Sequence, residues 1–261
     1  MPTQHSFFSS DDLIIYGHLS LPSGPGPHPA IVVHTAYLGG ALDSQGRYVN
    51  IREHAPLAAA GFAVFTVDQR GAPGHGDAFF RRGEVGGRDI DDLLAATRYL
   101  AARPQIDGRR LGLMGTSRGA YSGLLALTRA SALWRAAVLN MGFYDPLTHV
   151  QHEHVTRPTT SPFTHFSGHS WEQVFAYYRD PSRNPLTRLR QVRTPLLVIH
   201  GDADPIIDVK QALMLLTAAT AARVPITFQV IAGMDHDLEQ THPAWSALWA
   251  QIVAFFQKHL A

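Results

Sequence analysis

The sequence contains no cysteine, and its charges of opposite sign nearly cancel. Without thiols the chain has no disulfides, no thiolate metal ligands and no cysteine nucleophile. The 22 Lys and Arg side chains are matched by 21 Asp and Glu side chains, which leaves a net charge of +1. Because no basic block stands out either, nucleic acids and anionic membrane surfaces are poor candidates for a partner. The composition does not indicate an oligomeric state.

Long apolar runs are also lacking. None approaches the ~20 residues that cross a bilayer, so we expect no membrane insertion. The first ten residues lack the cationic and apolar regions of a signal peptide, so we expect a cytoplasmic location. Apolar residues still make up 45% of the 261 residues, enough for a large core. One α/β domain commonly reaches ~250 residues, and we therefore predict a single domain over 1–261.

Extended and helical patterns alternate along most of the chain. A loosely alternating segment at 13–21 is followed by short β-branched or apolar runs at 30–34, 62–67, 111–114, 136–140, 195–199 and 226–231. Between and after these runs, helical patterns occur at 51–60, 90–101, 117–129, 209–222 and 242–259. This alternation predicts an α/β fold, with a mostly parallel sheet covered by helices on both faces.

One segment, at about 143–188, is far longer than a crossover needs. It contains eight aromatic residues and five of the 15 histidines. We interpret it as a cap-like insertion over the carboxyl edge of the sheet, where open α/β folds bind their ligands. Its aromatic residues either line an apolar substrate pocket or form a small core of the cap, the pocket candidates being Phe143, Phe163, Phe166 and Trp171.

The strongest chemical signal is the stretch Gly115-Thr-Ser117-Arg-Gly119, between a predicted strand and a predicted helix. In that context a serine occupies a strained turn that projects its hydroxyl above the sheet, and the glycines allow close packing of strand and helix. We predict that Ser117 is a nucleophile. The alternative is that Ser117 only caps the helix.

A nucleophilic serine needs a base and an acid, which this fold class supplies in the order Ser, Asp or Glu, His. His236 follows the last predicted strand and is the predicted base. Asp204 is the preferred acid, with Asp202 as its main rival, although Asp202 could simply order its turn. For Asp208, which precedes Gln211 by three residues, a helix capping box is the better explanation. We expect His200, which closes a strand, to be a packed core residue.

At this point the chain resembles the α/β-hydrolase superfamily, and within it the prolyl-oligopeptidase-like and dienelactone-hydrolase-like branch. The resemblance covers nearly the whole chain, with a serine nucleophile and no β-propeller. It implies the α/β-hydrolase fold and the roles of nucleophile, acid and base for Ser117, Asp204 and His236. It is carried by the stretches 29–34, 68–71, 115–119, 200–204 and the loop with His236.

Two donors are expected to bind the oxyanion that forms on the substrate. One is the backbone N–H of Arg118, the residue after the nucleophile. The other comes from the loop 34–40, where Tyr37 is the best candidate, through its backbone N–H or its phenol; otherwise Tyr37 is a pocket wall. In the segment 68–71 we expect a buried ion pair or loop clamp.

The histidines of the insertion match no trusted zinc pattern, and we expect a polar, partly exposed cap face and no metal. The expected function is that of a serine hydrolase that cleaves small carboxylic esters through an acyl-enzyme and needs no cofactor. The alternative is a small peptidase or aminoacyl-amide hydrolase. A non-catalytic ligand-binding module on the same fold is a third hypothesis.

Overall fold

The computed structural model describes residues 3–34, 54–165, 168–236 and 242–261. In these ranges the strands are β1 (Thr3–Ser10), β2 (Leu13–Ser20), β3 (His28–His34), β4 (Ala63–Asp68), β5 (Ile106–Thr116), β6 (Ala136–Asn140), β7 (Leu196–Gly201) and β8 (Ile226–Ile231). They form one sheet in the order β1-β2-β4-β3-β5-β6-β7-β8. The β1–β2 and β2–β4 pairs are antiparallel, and every other neighbouring pair is parallel. The predicted fold class is confirmed, whereas β1 was not predicted.

The helices of the described residues are α1 (His54–Ala59), α2 (Asp77–Phe80), α3 (Asp89–Ala101), α4 (Arg118–Ala130), α5 (Pro146–Thr156), α6 (Pro162–His165), α7 (Trp171–Tyr178), α8 (Lys210–Ala222) and α9 (Trp245–Leu260). Short 3-10 helices occur at Ser131–Leu133, Pro181–Arg183 and Pro185–Gln191. No helix among the described residues is long and apolar enough to span a membrane.

Helices cover the sheet on both faces because alternate residues of the central strands point in opposite directions. On β5, Leu113 packs into the core shared with α3, α4 and α8, whereas Met114 packs into the core shared with α1 and α9. Val32 and Val33 on β3 divide between the two cores in the same way. Strands buried on both faces need apolar residues at every position, which is why these strands read as continuous runs.

The segment predicted to be an insertion contains α5, α6 and α7. Its last helix is attached to the loop that precedes α3. Tyr177 Oη donates to Glu84 Oε1 at 3.2 Å, and Tyr178 Oη donates to Val85 O at 3.4 Å. Arg183 Nη1 donates to the carbonyl of residue 86 at 3.1 Å. These contacts tie the end of this segment to the loop between α2 and α3.

Candidate active site

Ser117 lies on a strained turn between β5 and α4. Its backbone has φ 57° and ψ −121°, a region that residues other than glycine rarely adopt, and its side chain makes no capping hydrogen bond to the helix. The turn is tight enough that a Cβ on Gly115 would come within 2.3 Å of Gly119 O. Ser117 is therefore a half-buried serine on a strained turn, and the helix-cap alternative is not what the structure shows.

The hydroxyl of Ser117 begins a chain of two hydrogen bonds. Ser117 Oγ lies 3.0 Å from His236 Nε2, and His236 Nδ1 lies 2.7 Å from Asp204 Oδ2. The three residues come from loops after β5, β8 and β7, at one edge of the sheet. The β7 and β8 loops lie against each other, since a Cβ on Gly201 would come within 2.0 Å of Met234 O. The fold thus assembles the three predicted residues.

The carboxyl group of Asp204 is fully buried and well supplied with donors. Its Oδ1 accepts the backbone N–H groups of Ile206 and Ile207 at 2.8 and 2.9 Å. Burial by itself would raise the pKa of Asp204, but the hydrogen bond to His236 and these amides lower it below the ordinary value. Asp204 is therefore ionised at neutral pH and fixes the proton of the imidazole on Nδ1. The free Nε2 can then accept the proton of Ser117.

Asp202 has a different role in the same loop. It is exposed, and its Oδ1 accepts the backbone N–H of Gly233 at 2.7 Å, which orders the turn beside His236. His200 is fully buried and its Nε2 lies 2.8 Å from Ile207 O, so the prediction of a packed core histidine is confirmed.

The capping box predicted for Asp208 is wrong. Asp208 Oδ1 accepts from the backbone N–H of Lys210 at 2.9 Å, in the turn before α8. The Gln211 side chain instead reaches across to the insertion, where its Oε1 accepts the backbone N–H groups of Tyr144 and Asp145, both at 2.8 Å. The buried start of the insertion needed an acceptor for these amides, and this outweighs the local cap.

The backbone N–H of Arg118 is placed to bind an oxyanion. Arg118 is the first residue of α4, and the first N–H groups of a helix have no acceptor within it. The residue therefore presents a donor beside Ser117, and its role in binding an oxyanion stays a prediction. Tyr37, the predicted second donor, lies outside the described residues, and its role stays a prediction.

The first aromatic residues of the insertion belong to the main core. Phe143 is only 2% exposed and stacks between Tyr121 and His149, with ring centroids 4.6 and 4.4 Å away. Phe163 is partly buried and meets the ring of His149 edge-on at 5.6 Å. Of Phe143 and Phe163, only Phe163 has a side chain that is partly accessible to a ligand. Phe166 lies outside the described residues.

Trp171 packs within the cap. Its Nε1 donates to Pro158 O at 2.9 Å, and its ring lies 5.8 Å from Phe175 and 4.9 Å from His154. These partners all belong to the insertion. The contacts therefore favour the alternative in which Trp171 stabilises the cap.

The expected polar cap face is wrong for one histidine. His149 is 3% exposed, and burial, helped by the charges of Arg157 and His152, lowers its pKa to about 3. It is a neutral ring in an aromatic stack, whereas His152 and His154 are exposed as expected. Over the described ranges, no three His, Asp or Glu side chains are grouped to hold a metal ion.

The segment 68–71 contains the predicted buried ion pair, with a partner that the sequence did not indicate. Arg70 Nε and Nη2 donate to the two carboxylate oxygens of Asp92 at 2.8 and 2.7 Å. Asp68 instead lies 2.9 Å from His75 Nε2. The pair ties the end of β4 to the first turn of α3.

Comparison with known proteins places this site in a family. The chain is 28% identical over 265 residues to the uncharacterized peptidase YuxL of Bacillus subtilis (strain 168), covering 93% of this chain and 36% of that protein. It is 26% identical over 216 residues to the acylamino-acid-releasing enzyme of Rattus norvegicus, covering 79% of this chain and 28% of that enzyme. The chain thus spans about a third of the length of these curated relatives.

The fold has similar solved structures. That of the Pyrococcus horikoshii acylaminoacyl peptidase superposes with a TM-score of 0.83 at 23% identity, and the match covers 98% of this chain and 41% of that one. At this identity the likeness concerns the fold. The family model of the prolyl oligopeptidase family matches residues 48–261, which include Ser117, Asp204 and His236. The chain therefore belongs to the prolyl oligopeptidase family.

Proposed function

We propose that this chain is a serine hydrolase that cleaves amide bonds in short peptides or acylated amino acids through an acyl-enzyme. The observation that carries the proposal is the continuous hydrogen-bond chain from Ser117 through His236 to Asp204, on a strained turn, in a chain of the prolyl oligopeptidase family. One matched relative is named as an uncharacterized peptidase, and another as an acylamino-acid-releasing enzyme. They support the peptidase alternative better than the predicted carboxylesterase.

The geometry suits acyl transfer. Ser117 Oγ attacks the carbonyl carbon while His236 Nε2 accepts its proton, and Asp204 stabilises the resulting imidazolium. The backbone N–H of Arg118, with the predicted donor at Tyr37, binds the oxyanion of the tetrahedral intermediate. His236 then returns the proton to the leaving amine. Water activated by the same imidazole hydrolyses the acyl-enzyme, so this mechanism uses no group beyond these side chains and amides.

A non-catalytic ligand-binding module is the less fitting hypothesis. Holding a serine at φ 57° costs of order 1–3 kcal/mol, and burying a carboxylate behind the imidazole adds a desolvation cost. A binding module gains nothing from either feature. A nucleophile gains an exposed hydroxyl with a base at hydrogen-bond distance.

The test is turnover by the purified chain of N-acetylated aminoacyl p-nitroanilides and of p-nitrophenyl esters with the same acyl groups. We expect both classes to be cleaved, and a fluorophosphonate probe to label Ser117 stoichiometrically. Cleavage of esters with no detectable cleavage of any anilide would contradict the proposal and favour the carboxylesterase hypothesis. Labelling of another serine, or none, would overturn the assignment of the site.

A further inference from the structure

The side chain of Arg118 carries a positive charge for which the described residues offer no ion-pair partner. Arg118 is half-buried, and its Nε is closed off from solvent with no hydrogen-bond acceptor. In the orientation that satisfies the Gln69 amide, its nitrogen donates to Val67 O at 3.1 Å and its oxygen accepts from Arg118 Nη2. A guanidinium has five N–H groups. One acceptor therefore leaves most of them without a protein partner.

Two other arginines, one buried and one partly buried, are paired with carboxylates. Arg70 holds Asp92 in a bidentate contact with a shortest distance of 2.7 Å, and Arg183 lies 3.4 Å from Glu84. Leaving the charge of Arg118 without such a contact costs free energy, because a buried donor without an acceptor has lost its hydration. A ligand of opposite charge would offset this cost by supplying the missing acceptors.

Asp89 is the carboxyl group whose field acts on Arg118, but it does not contact the guanidinium. Asp89 Oδ2 accepts from Ser122 Oγ at 3.2 Å, and the two charged groups form no pair within 4.0 Å. Burial raises the pKa of Asp89 to about 6 in spite of the nearby cation. Burial also lowers the pKa of Arg118, but an arginine guanidinium is so strongly basic that it stays charged at neutral pH.

The guanidinium lies on the side of Ser117 that faces away from His236. Its partner Gln69 follows β4, and β4 and β3 lie on one side of β5. The loops that carry Asp204 and His236 follow β7 and β8, which lie on the other side. His236 gives its proton to the leaving group, so that group departs on the imidazole side. The acyl part of the substrate then extends toward Arg118.

Aromatic rings of the insertion flank the path to the guanidinium. Tyr178 is a neutral ring near Arg118, and it meets the ring of Phe163 edge-on at 5.7 Å. Phe163 in turn meets the ring of His149, which feels the charges of His236 and Asp204. Apolar rings thus extend from beside the triad to the guanidinium. A short carbon chain could lie along them with its far end at Arg118.

We propose that the guanidinium of Arg118 binds a carboxylate at the far end of the substrate's acyl group. The preferred substrates would be amides or esters of acidic acyl groups, either a glutamyl or aspartyl residue or a short dicarboxylic half-acid. The planar fork of arginine suits a carboxylate, which can accept two parallel hydrogen bonds from it. This specificity rests on the proposed acyl transfer at Ser117.

The experiment compares substrates that differ by one charge and have nearly the same shape. N-acetyl-glutamyl p-nitroanilide is paired with its glutaminyl analogue, and the mono-p-nitrophenyl ester of glutaric acid with that of glutaramic acid. We expect kcat/KM to favour the acidic member by about 10- to 100-fold, mainly through KM, because hydrogen bonds to charged groups are worth this much. If the acidic member is preferred in only one of the two pairs, that pair shows whether the bound carboxylate belongs to an amino acid side chain or to a dicarboxylic half-acid.

Arg118→Gln retains the backbone N–H and removes the charge. We expect it to reduce the acidic preference at least about tenfold, with Arg118→Lys intermediate since lysine keeps a charge but not the fork. Arg129→Gln is the matched control, because Arg129 lies on the same helix with a partly exposed side chain paired to Asp91 at 3.3 Å. It should retain the preference.

Equal activity of the native chain on both members of each pair would overturn the proposal. So would an Arg118→Gln variant that loses the same factor on both members, since Arg118 would then be structural. If no substrate is cleaved, calorimetry with N-acetylglutamate and N-acetylglutamine decides separately. Tighter binding of the acidic compound that Arg118→Gln abolishes would support carboxylate recognition even where the proposed hydrolysis fails, and equal binding would refute it.

Discussion

At the scale of single residues, the site depends on which groups share a proton. Ser117, His236 and Asp204 are joined by contacts of 3.0 and 2.7 Å, and each contact sets the protonation of the next group. Asp204 stays ionised because backbone amides and the imidazole outweigh its burial. The imidazole is thereby left with one nitrogen free to act as a base. Removing any member should therefore disable the whole chain of hydrogen bonds.

Ser117→Ala should reduce turnover by several powers of ten and abolish fluorophosphonate labelling. The alanine removes the attacking oxygen and little else, so the urea midpoint should change little. Mass spectrometry of the labelled protein and steady-state kinetics on p-nitrophenyl esters provide the two measurements. Residual labelling at full stoichiometry in the variant would show that the nucleophile is elsewhere.

The two aspartates of the β7 loop offer a matched comparison. Asp204→Asn should lower kcat by about 10⁴, because a carboxamide cannot hold the imidazole in the required tautomer and charge state. Asp202→Asn changes an exposed side chain whose oxygen can still accept from Gly233, so we expect less than about a tenfold effect. Comparable losses in both variants would contradict the assignment of the acid. The kinetics are measured on the same ester substrate for both proteins.

At the scale of elements, the segment 143–188 predicted to be an insertion is held to the main core at one end and packs on itself at the other. Its attachment to the loop before α3 runs through Tyr177 and Tyr178. Trp171 contacts His154, Phe175 and Pro158 of the same segment, whereas Phe163 also contacts Phe143 of the main core. The aromatic residues that looked equivalent in the sequence therefore have separate roles.

Phe163→Ala and Trp171→Ala should consequently differ. Truncating Phe163 should change the preference among acyl chain lengths by about tenfold or more, because one methylene in an apolar pocket is worth about 1–3 kcal/mol. Truncating Trp171 should mainly lower the melting temperature, since it opens the packing of the cap. A chain-length series of p-nitrophenyl esters and thermal unfolding provide the readouts. An unchanged preference in the Phe163 variant would mean that this ring, too, only packs the cap.

At the scale of the whole molecule, the fold buries charged groups that must be balanced. Arg70 and Asp92 neutralise each other across the β4 end and α3. Asp89, in the same helix turn, is 2% exposed and has its pKa raised to about 6, first by burial and also by the charge of Asp92. A carboxyl whose folded pKa exceeds its unfolded value makes stability fall as pH rises between the two values.

This predicts a specific pH dependence. Between the ordinary value of 3.8 and about 6, the folded protein keeps a proton on Asp89 that the unfolded chain has lost. The stability associated with this proton is therefore present below pH 4 and is lost by pH 6 to 7. The loss amounts to roughly 2–3 kcal/mol in the free energy of unfolding. Asp89→Asn should remove this loss, so the stability of the variant relative to the native chain should rise by that amount from pH 4 to pH 8.

Urea unfolding at both pH values measures the difference, and Asp91→Asn on the exposed side of α3 is the control. A relative stability of Asp89→Asn that falls or stays constant from pH 4 to pH 8 would contradict the sign of the expected effect. The variant and the native chain share all other titratable groups. The difference between their free energies of unfolding therefore reports the titration of Asp89.

Sequence by itself determined the features that depend on neighbouring residues. The apolar runs predicted the central strands because a strand buried on both faces leaves few positions for a polar side chain. The elbow around Ser117 was recognisable because its turn requires glycines two residues away on either side. The order of Ser117, Asp204 and His236 followed from which loop comes after which strand.

Tertiary structure alone decided which side chains meet across loops far apart in sequence. It paired Arg70 with Asp92 and buried His149 in a stack of rings. It also directed the Gln211 side chain to backbone amides at the start of the insertion instead of to a local helix cap. It also placed the charge of Arg118 opposite Gln69, with no carboxylate of the described residues in contact. The physical reason is that such partners depend on how crossovers bring strand ends together. The spacing of residues along the sequence does not determine the distances between these strand ends.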